Sequence, residues 1–182
     1  MKFGGTSVGS AKQIERVAAI IRHQHAAGPV VAIVSAMATI TNALEDASQY
    51  AAKRERTKLD ARLAHIRGIH ESTMRELGAS SATIDSINEK IDELEQLLDS
   101  TYALGELSPR AHDLILSYGE QLSSRLVAAV VAMQGLVARP VSATDLIVTT
   151  HRHGAAQPYL DRSHDKTRLL LLPILEAGTI PV

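Results

Sequence analysis

The chain has 182 residues, 45% hydrophobic and 21% charged, with a formal net charge of −1 and no cysteine. That length supports one ordinary domain with a proper core and is short for two. The near-neutral charge excludes a global basic field for nucleic acid or an anionic membrane, and the missing cysteines exclude disulfides, thiolate catalysis and cysteine-based zinc sites. Trp is absent and Phe occurs once, so stacking on nucleic-acid bases is not expected either. No run reaches the ~18 apolar residues of a membrane span, and the start carries no signal-peptide pattern. The expectation is a soluble, cytoplasmic domain with no nucleic-acid and no membrane partner.

Lys2-Phe3-Gly4-Gly5-Thr6-Ser7-Val8 comes first. A lysine beside paired glycines and two hydroxyls has the parts of a phosphate site. The lysine gives a mobile charge, the glycines let backbone N–H groups approach an oxyanion, and the hydroxyls add neutral donors. It is not a Walker A loop, because Ser10 and Ala11 stand where Lys and Ser/Thr are needed. There is no dinucleotide fingerprint either. The seven residues alone leave a phosphate cradle and a plain turn both open.

Ala11 to Ala26 reads as an amphipathic helix, with Ile14, Val17, Ile20 and Ile21 at helical spacing. Gly28-Pro29 ends it, and Val30 to Val34 reads as a strand buried on both faces. Next comes Ser35-Ala36-Met37-Ala38-Thr39-Ile40-Thr41-Asn42. Loops at the carboxyl ends of strands in open α/β sheets are where ligands bind, and small hydroxyl residues there bond carboxylates or phosphates. Thr41 also reads as a helix cap, a role compatible with facing a ligand.

From about Thr41 to Thr101 the pattern is long, charged helices. Ile84, Ile87, Ile91, Leu94 and Leu98 form one apolar seam, too short for a coiled coil. It is read first as pairing within the chain and second as a subunit interface. Ser108-Pro109 opens a helix through Leu114, Leu122 and Leu126 to about Met133. Inside it, Gly119 costs roughly 1 kcal/mol relative to Ala, which points to close approach of a neighbour. Glu120 beside it is either a solvated carboxylate or an acceptor for an ammonium group.

Leu136 to Val141 reads as a second buried strand, Leu146-Ile147-Val148 as an edge strand and Arg168 to Leu175 as the last helix. Gly178 to Val182 starts a further strand. His151 and His153 lack a companion carboxylate at metal spacing, so no metal site is assigned. Glu71, Glu76, Asp85 and Glu89 are read as solvated helix faces.

Three strings in order, Lys2 to Val8, then Val34-Ser35-Ala36-Met37 with Thr41-Asn42, then Ser117-x-Gly119-Glu120-x-x-Ser123, resemble the aspartate kinases. The likeness covers essentially the whole chain, including the helical middle and the stretch from Thr149 to Pro158. It implies the amino-acid-kinase fold, a three-layer α/β/α sandwich around a mainly parallel sheet, here partial, with a helical middle segment at about 42–135. It also implies transfer of the ATP γ-phosphoryl group to the side-chain carboxylate of L-aspartate, with ATP and Mg2+ as cofactors and a homo-oligomer as the assembly. By the same resemblance Lys2 neutralises charge on the transferring group, and Gly4, Gly5, Thr6 and Ser7 hold phosphate oxygens. Ser35 flanks the reacting groups, Thr41 bonds the aspartate and Glu120 binds its α-amino group.

Family members carry a strand ahead of the lysine and a glycine where this chain has Thr39, so the loop backbone is expected to differ there. In the family a nucleotide-binding half and regulatory ACT domains follow the point reached by Ile180 to Val182. The chain is therefore expected to be the substrate-side part of a catalytic domain. The competing readings are another carboxylate or carbamate kinase of this fold, or a non-catalytic assembly fragment or partner subunit.

Overall fold

The computed structural model describes residues 1–182. Strand β1 (Lys2–Phe3) leads through a 3-10 turn (Gly5–Ser7) into helix α1 (Ala11–His25). Ser10 caps α1, its hydroxyl accepting from the Gln13 N–H at 3.4 Å, which satisfies one of the free donors of the first turn. Ile14, Val17 and Ile21 point inward as the spacing predicts, whereas Ile20 remains exposed.

Strand β2 (Ile33–Val34) pairs in parallel with β1, Lys2 opposite Ile33 and Phe3 opposite Val34. Strands β3 (Ala138–Arg139) and β4 (Ile180–Pro181) form a second parallel pair. The Ala32 N–H donates to the Pro181 carbonyl at 2.9 Å, setting β4 beside β2. The strand expected to be buried on both faces is buried on one. Side chains alternate across a strand, so Ala32 and Val34 enter the core while Ile33 turns outward and is 58% exposed.

Four helices fill Ile40 to Met133: α2 (Ile40–Ala52), α3 (Arg56–Leu77), α4 (Ser81–Leu104) and α5 (Pro109–Met133). The seam of α4 closes within the chain, with Ile87, Ile91, Leu94 and Leu98 all fully buried. Ser108 caps α5 by accepting from the Ala111 N–H at 3.1 Å, and Pro109 fits the first turn because its missing N–H would have had no helical partner. Leu122 and Leu126 of this helix are fully buried, whereas Leu114 is exposed.

After β3 the chain forms the short helix α6 (Ala143–Leu146), then α7 (Leu160–Glu176), before β4. Leu146 to Val148 is therefore not an edge strand. Leu146 ends α6, and an antiparallel bridge joins Thr149 to Pro158. Helix α7 begins eight residues before the expected Arg168, because its first two turns (Leu160–Thr167) are mostly polar and carry no apolar period to read. The whole is a partial α/β arrangement, two small parallel strand pairs with helices packed on them.

Two departures from ordinary local preference fall next to β2. Thr39 precedes α2 with φ +72, left-handed backbone that a β-branched residue rarely adopts. The loop thus keeps a glycine-type shape despite carrying threonine. Thr41 lies inside α2 rather than at its cap, and no side chain caps this helix. The second departure is Gly119 inside α5, where a Cβ would stand 2.7 Å from the Ala36 Cβ and 3.3 Å from a Leu44 methyl. Ala36 has no rotamer that could relieve such a contact.

Gly119→Ala gains about 1 kcal/mol of helix propensity. It loses about 1–3 kcal/mol to overpacking against a backbone-borne methyl. We expect a lower melting temperature, measurable by thermal denaturation; a rise contradicts this packing.

His70 on α3 is fully buried, with Nδ1 2.7 Å from the Ile66 carbonyl and Nε2 without a partner. Burial pushes its pKa below the ordinary histidine value, outweighing that hydrogen bond. The unfolded chain therefore binds the extra proton more readily, so stability is full above about pH 6.5 and falls as pH drops through and below it. Denaturant titrations between about pH 7.5 and 5.5 are expected to show this loss, reduced in His70→Leu.

Candidate active site

Of the candidate residues, Gly5 and Glu120 meet on one short piece of backbone, Ser35-Ala36, at the carboxyl end of β2. The Ser35 N–H donates to the Phe3 carbonyl at 3.0 Å, continuing the β1–β2 ladder beyond the strands proper. A Cβ on Gly5 would lie 2.8 Å from the Ala36 carbonyl oxygen, so only glycine lets the first loop come this close. From the other side, Glu120 Oε1 accepts from the Ala36 N–H at 3.3 Å, and the Ser123 hydroxyl donates to the Ser35 carbonyl at 2.8 Å. The Gly119 contact with Ala36 completes the clamp.

The first loop turns tightly, the Ser7 N–H bonding the Gly4 carbonyl at 2.8 Å. Lys2 is exposed and folds back over the loop, its Nζ 3.8 Å from where a Cβ on Gly4 would sit. Lysine and glycines thus occupy one place. Thr6 is exposed and Ser7 half-buried. A mobile cation, two unhindered glycines and two hydroxyls can receive a phosphate oxygen set.

Thr41 stands exposed on the first turn of α2. The next turn carries Glu45, whose carboxylate lies 2.6 Å from His112 Nε2 on α5 and accepts from Gln49 Nε2 at 3.3 Å. Ile40 and Leu44 of the same helix pack against Gly119, so α2 and α5 meet where Thr41 and Glu120 are borne. Glu120 is exposed, with one oxygen on the Ala36 N–H and the other uncommitted. Such a carboxylate can take an ammonium group.

A cleft of about 690 Å³ adjoins this region. It is lined by Ile33 of β2, by Ser117, Glu120 and Gln121 of α5, and by Leu146 and Ile147. No group of three or more His, Cys, Asp or Glu side chains is arranged to hold a metal ion.

The sequence reading named Gly119 for close approach but gave Ser123 no role beyond its string. His112, Glu45 and Asp113 were missed outright. His112 and Glu45 are 67 positions apart, and no local spacing connects them.

The amino acid kinase family model matches residues 1–182. Aspartokinase 3, chloroplastic, of Arabidopsis thaliana is 39% identical over 153 residues, which is 82% of this chain and 27% of that protein. The aspartokinase of Chlamydia trachomatis is 34% identical over 161 residues, 87% of this chain and 33% of that one. Among solved structures, E. coli aspartokinase III in complex with aspartate and ADP superposes with a TM-score of 0.86 at 25% identity, covering 99% of this chain and 39% of its own. The chain thus spans a quarter to two fifths of the length of these relatives. With the family matched along its whole length, the chain belongs to the amino acid kinase family.

Proposed function

We propose that this chain carries the amino-acid-binding side of an aspartate kinase, acting in ATP + L-aspartate → ADP + 4-phospho-L-aspartate. The observation that carries the reading is Glu120. Its carboxylate is oriented by the Ala36 N–H and keeps an oxygen free, on the same clamp that holds the glycine loop. Support also comes from the aspartokinase names of the relatives, and from the aspartate and ADP in the matching E. coli structure.

In this reading Glu120 takes the α-ammonium group and Thr41 donates to a carboxylate of the amino acid. Ser35 flanks the reacting groups. Gly4, Gly5, Thr6 and Ser7 hold phosphate oxygens, and Lys2 neutralises charge on the transferring group. A side-chain oxygen of aspartate forms a bond to the γ-phosphorus while the bond to the bridging oxygen of ADP breaks, its electron pair leaving with ADP. The attacking carboxylate is already ionised at pH 7, so no general base is needed. Phosphoryl transfer then depends on positioning and on charge stabilisation, which this set of groups supplies. Mg2+ belongs to the nucleotide, held largely by its phosphates. A cytoplasmic homo-oligomer is part of the same proposal and is checked by mass measurement in solution.

Calorimetry with L-aspartate and with succinate, which lacks the amino group, tests the assignment of Glu120. The charged hydrogen bond is worth about 1.5–3 kcal/mol. Glu120→Ala is expected to weaken L-aspartate binding by that amount and to leave succinate nearly unchanged. Equal loss for both ligands contradicts the role.

Transfer itself is read as ATP- and Mg2+-dependent aspartyl hydroxamate formed in the presence of hydroxylamine. Lys2→Ala is expected to abolish the signal, and full activity in that variant contradicts the role of Lys2.

A further inference from the structure

The N-terminal end of α5 carries two adjacent polar residues that reach in different directions. His112 meets Glu45 of α2 at 2.6 Å. Asp113 Oδ2 accepts from the Gly154 N–H at 2.9 Å and lies 3.3 Å from His153 Nδ1. Both partners are remote in sequence. Neither contact is used by the proposed chemistry, and His153 belongs to a histidine pair to which the sequence assigned no metal.

The segment reached by Asp113 is an arm closed on itself by a bridge and hydrogen bonds. Thr149 bridges to Pro158, the Thr150 N–H donates to the Gln157 carbonyl at 2.9 Å, and the Gln157 N–H donates to the Thr150 hydroxyl at 3.1 Å. At its base the Tyr159 N–H donates to the Val148 carbonyl at 2.8 Å and the Val148 N–H to the Ser163 hydroxyl at 3.0 Å. The residues just before that base, Leu146 and Ile147, line the same cleft as Ser117 and Glu120. The bonds across this arm connect its tip to its base. Asp113 and Ser117 are one helical turn apart, which puts the pinned tip one turn from the cleft lining.

We propose that His112 and Asp113 are positioning residues at the N-terminal end of α5, one holding α2 with Thr41 and the other holding the part of the cleft lined by Leu146 and Ile147. His112 sets the first turns of α2, and with them Thr41, against α5. Asp113 acts through the Thr149–Pro158 arm. The consequence for ligand rests on the aspartate reading above: the two contacts hold the separation between Glu120, Thr41 and the Leu146-Ile147 lining. A shift of about 1 Å in such a separation costs as much as a hundredfold.

The test uses the 182-residue chain and four variants: Asp113→Ala, Asp113→Asn, which keeps a carbonyl acceptor for the Gly154 N–H, His112→Ala, and His112→Gln, which keeps a donor for Glu45. Hydrogen exchange is followed by NMR, alongside the dissociation constant for L-aspartate. Asp113→Ala is expected to speed exchange about tenfold at Ile147 and Val148, away from the lost contact, and Asp113→Asn to restore it. His112→Ala is expected to do the same at Ile40 and Ala43, with rescue by His112→Gln. Both Ala variants are expected to weaken L-aspartate about tenfold, with little change in melting temperature.

Exchange confined to Gly154, or the same loss in the Asn and Gln variants as in the Ala variants, overturns the brace. So does wild-type affinity in both Ala variants. If the wild-type chain binds no L-aspartate, the functional reading fails, and the exchange pattern alone still upholds or overturns the brace.

Discussion

Everything specific about this chain depends on how closely two glycines approach one alanine. Gly5 comes up to the Ala36 carbonyl from the first loop, and Gly119 comes up to the Ala36 methyl from α5. Either contact is closed to a residue with a Cβ. Sequence segments more than a hundred positions apart are thereby pressed onto Ser35-Ala36, and the polar bonds that follow are consequences of that proximity. The Ala36 N–H finds Glu120, and the Ser35 carbonyl finds the Ser123 hydroxyl. A glycine inside a helix gives up helical preference, but the gain is a helix face that lies directly on a loop backbone.

The long helices then serve to hold that contact. Helix α5 is buried along most of its length by α1, α2 and α4, and it cannot move without disturbing fully buried Leu122, Leu126 and Val131. Helix α2 is fixed to it by Ile40 and Leu44 and again by Glu45 with His112. The left-handed backbone at Thr39 fits the same account. Such a conformation costs of order 1–3 kcal/mol and persists only where its surroundings over-determine it. Here β2 on one side and the buried start of α2 on the other leave the chain only a few residues in which to turn.

What the sequence discloses and what it withholds divide along physical lines. Helix α1, the α4 seam and the start of α5 are legible because each depends on local periodicity or a local cap, as with Ser108-Pro109. The first two turns of α7 are not, since they bury little and show no period. The outward turn of Ile33 is hidden because a short apolar run reads the same whether one face or two are covered. For the site, the strings around Gly5, Ser35 and Gly119 are visible as unusual local choices, glycines and hydroxyls where helix and strand formers would be ordinary. Their convergence on Ala36 is a tertiary fact. So are the Glu45–His112 and Asp113–Gly154 contacts, made by common surface residues with no local signature.

The most direct measurement of the central claim, that three remote segments build one amino-acid and phosphate site on Ser35-Ala36, is a backbone amide NMR titration of the chain. L-aspartate is added first and ATP second. The account predicts that the Ala36 amide shifts with L-aspartate together with Thr41 and Glu120, that Gly4 to Ser7 respond to ATP, and that α3 stays silent. Shifts confined to other surfaces, or an Ala36 amide indifferent to L-aspartate at saturation, would contradict it.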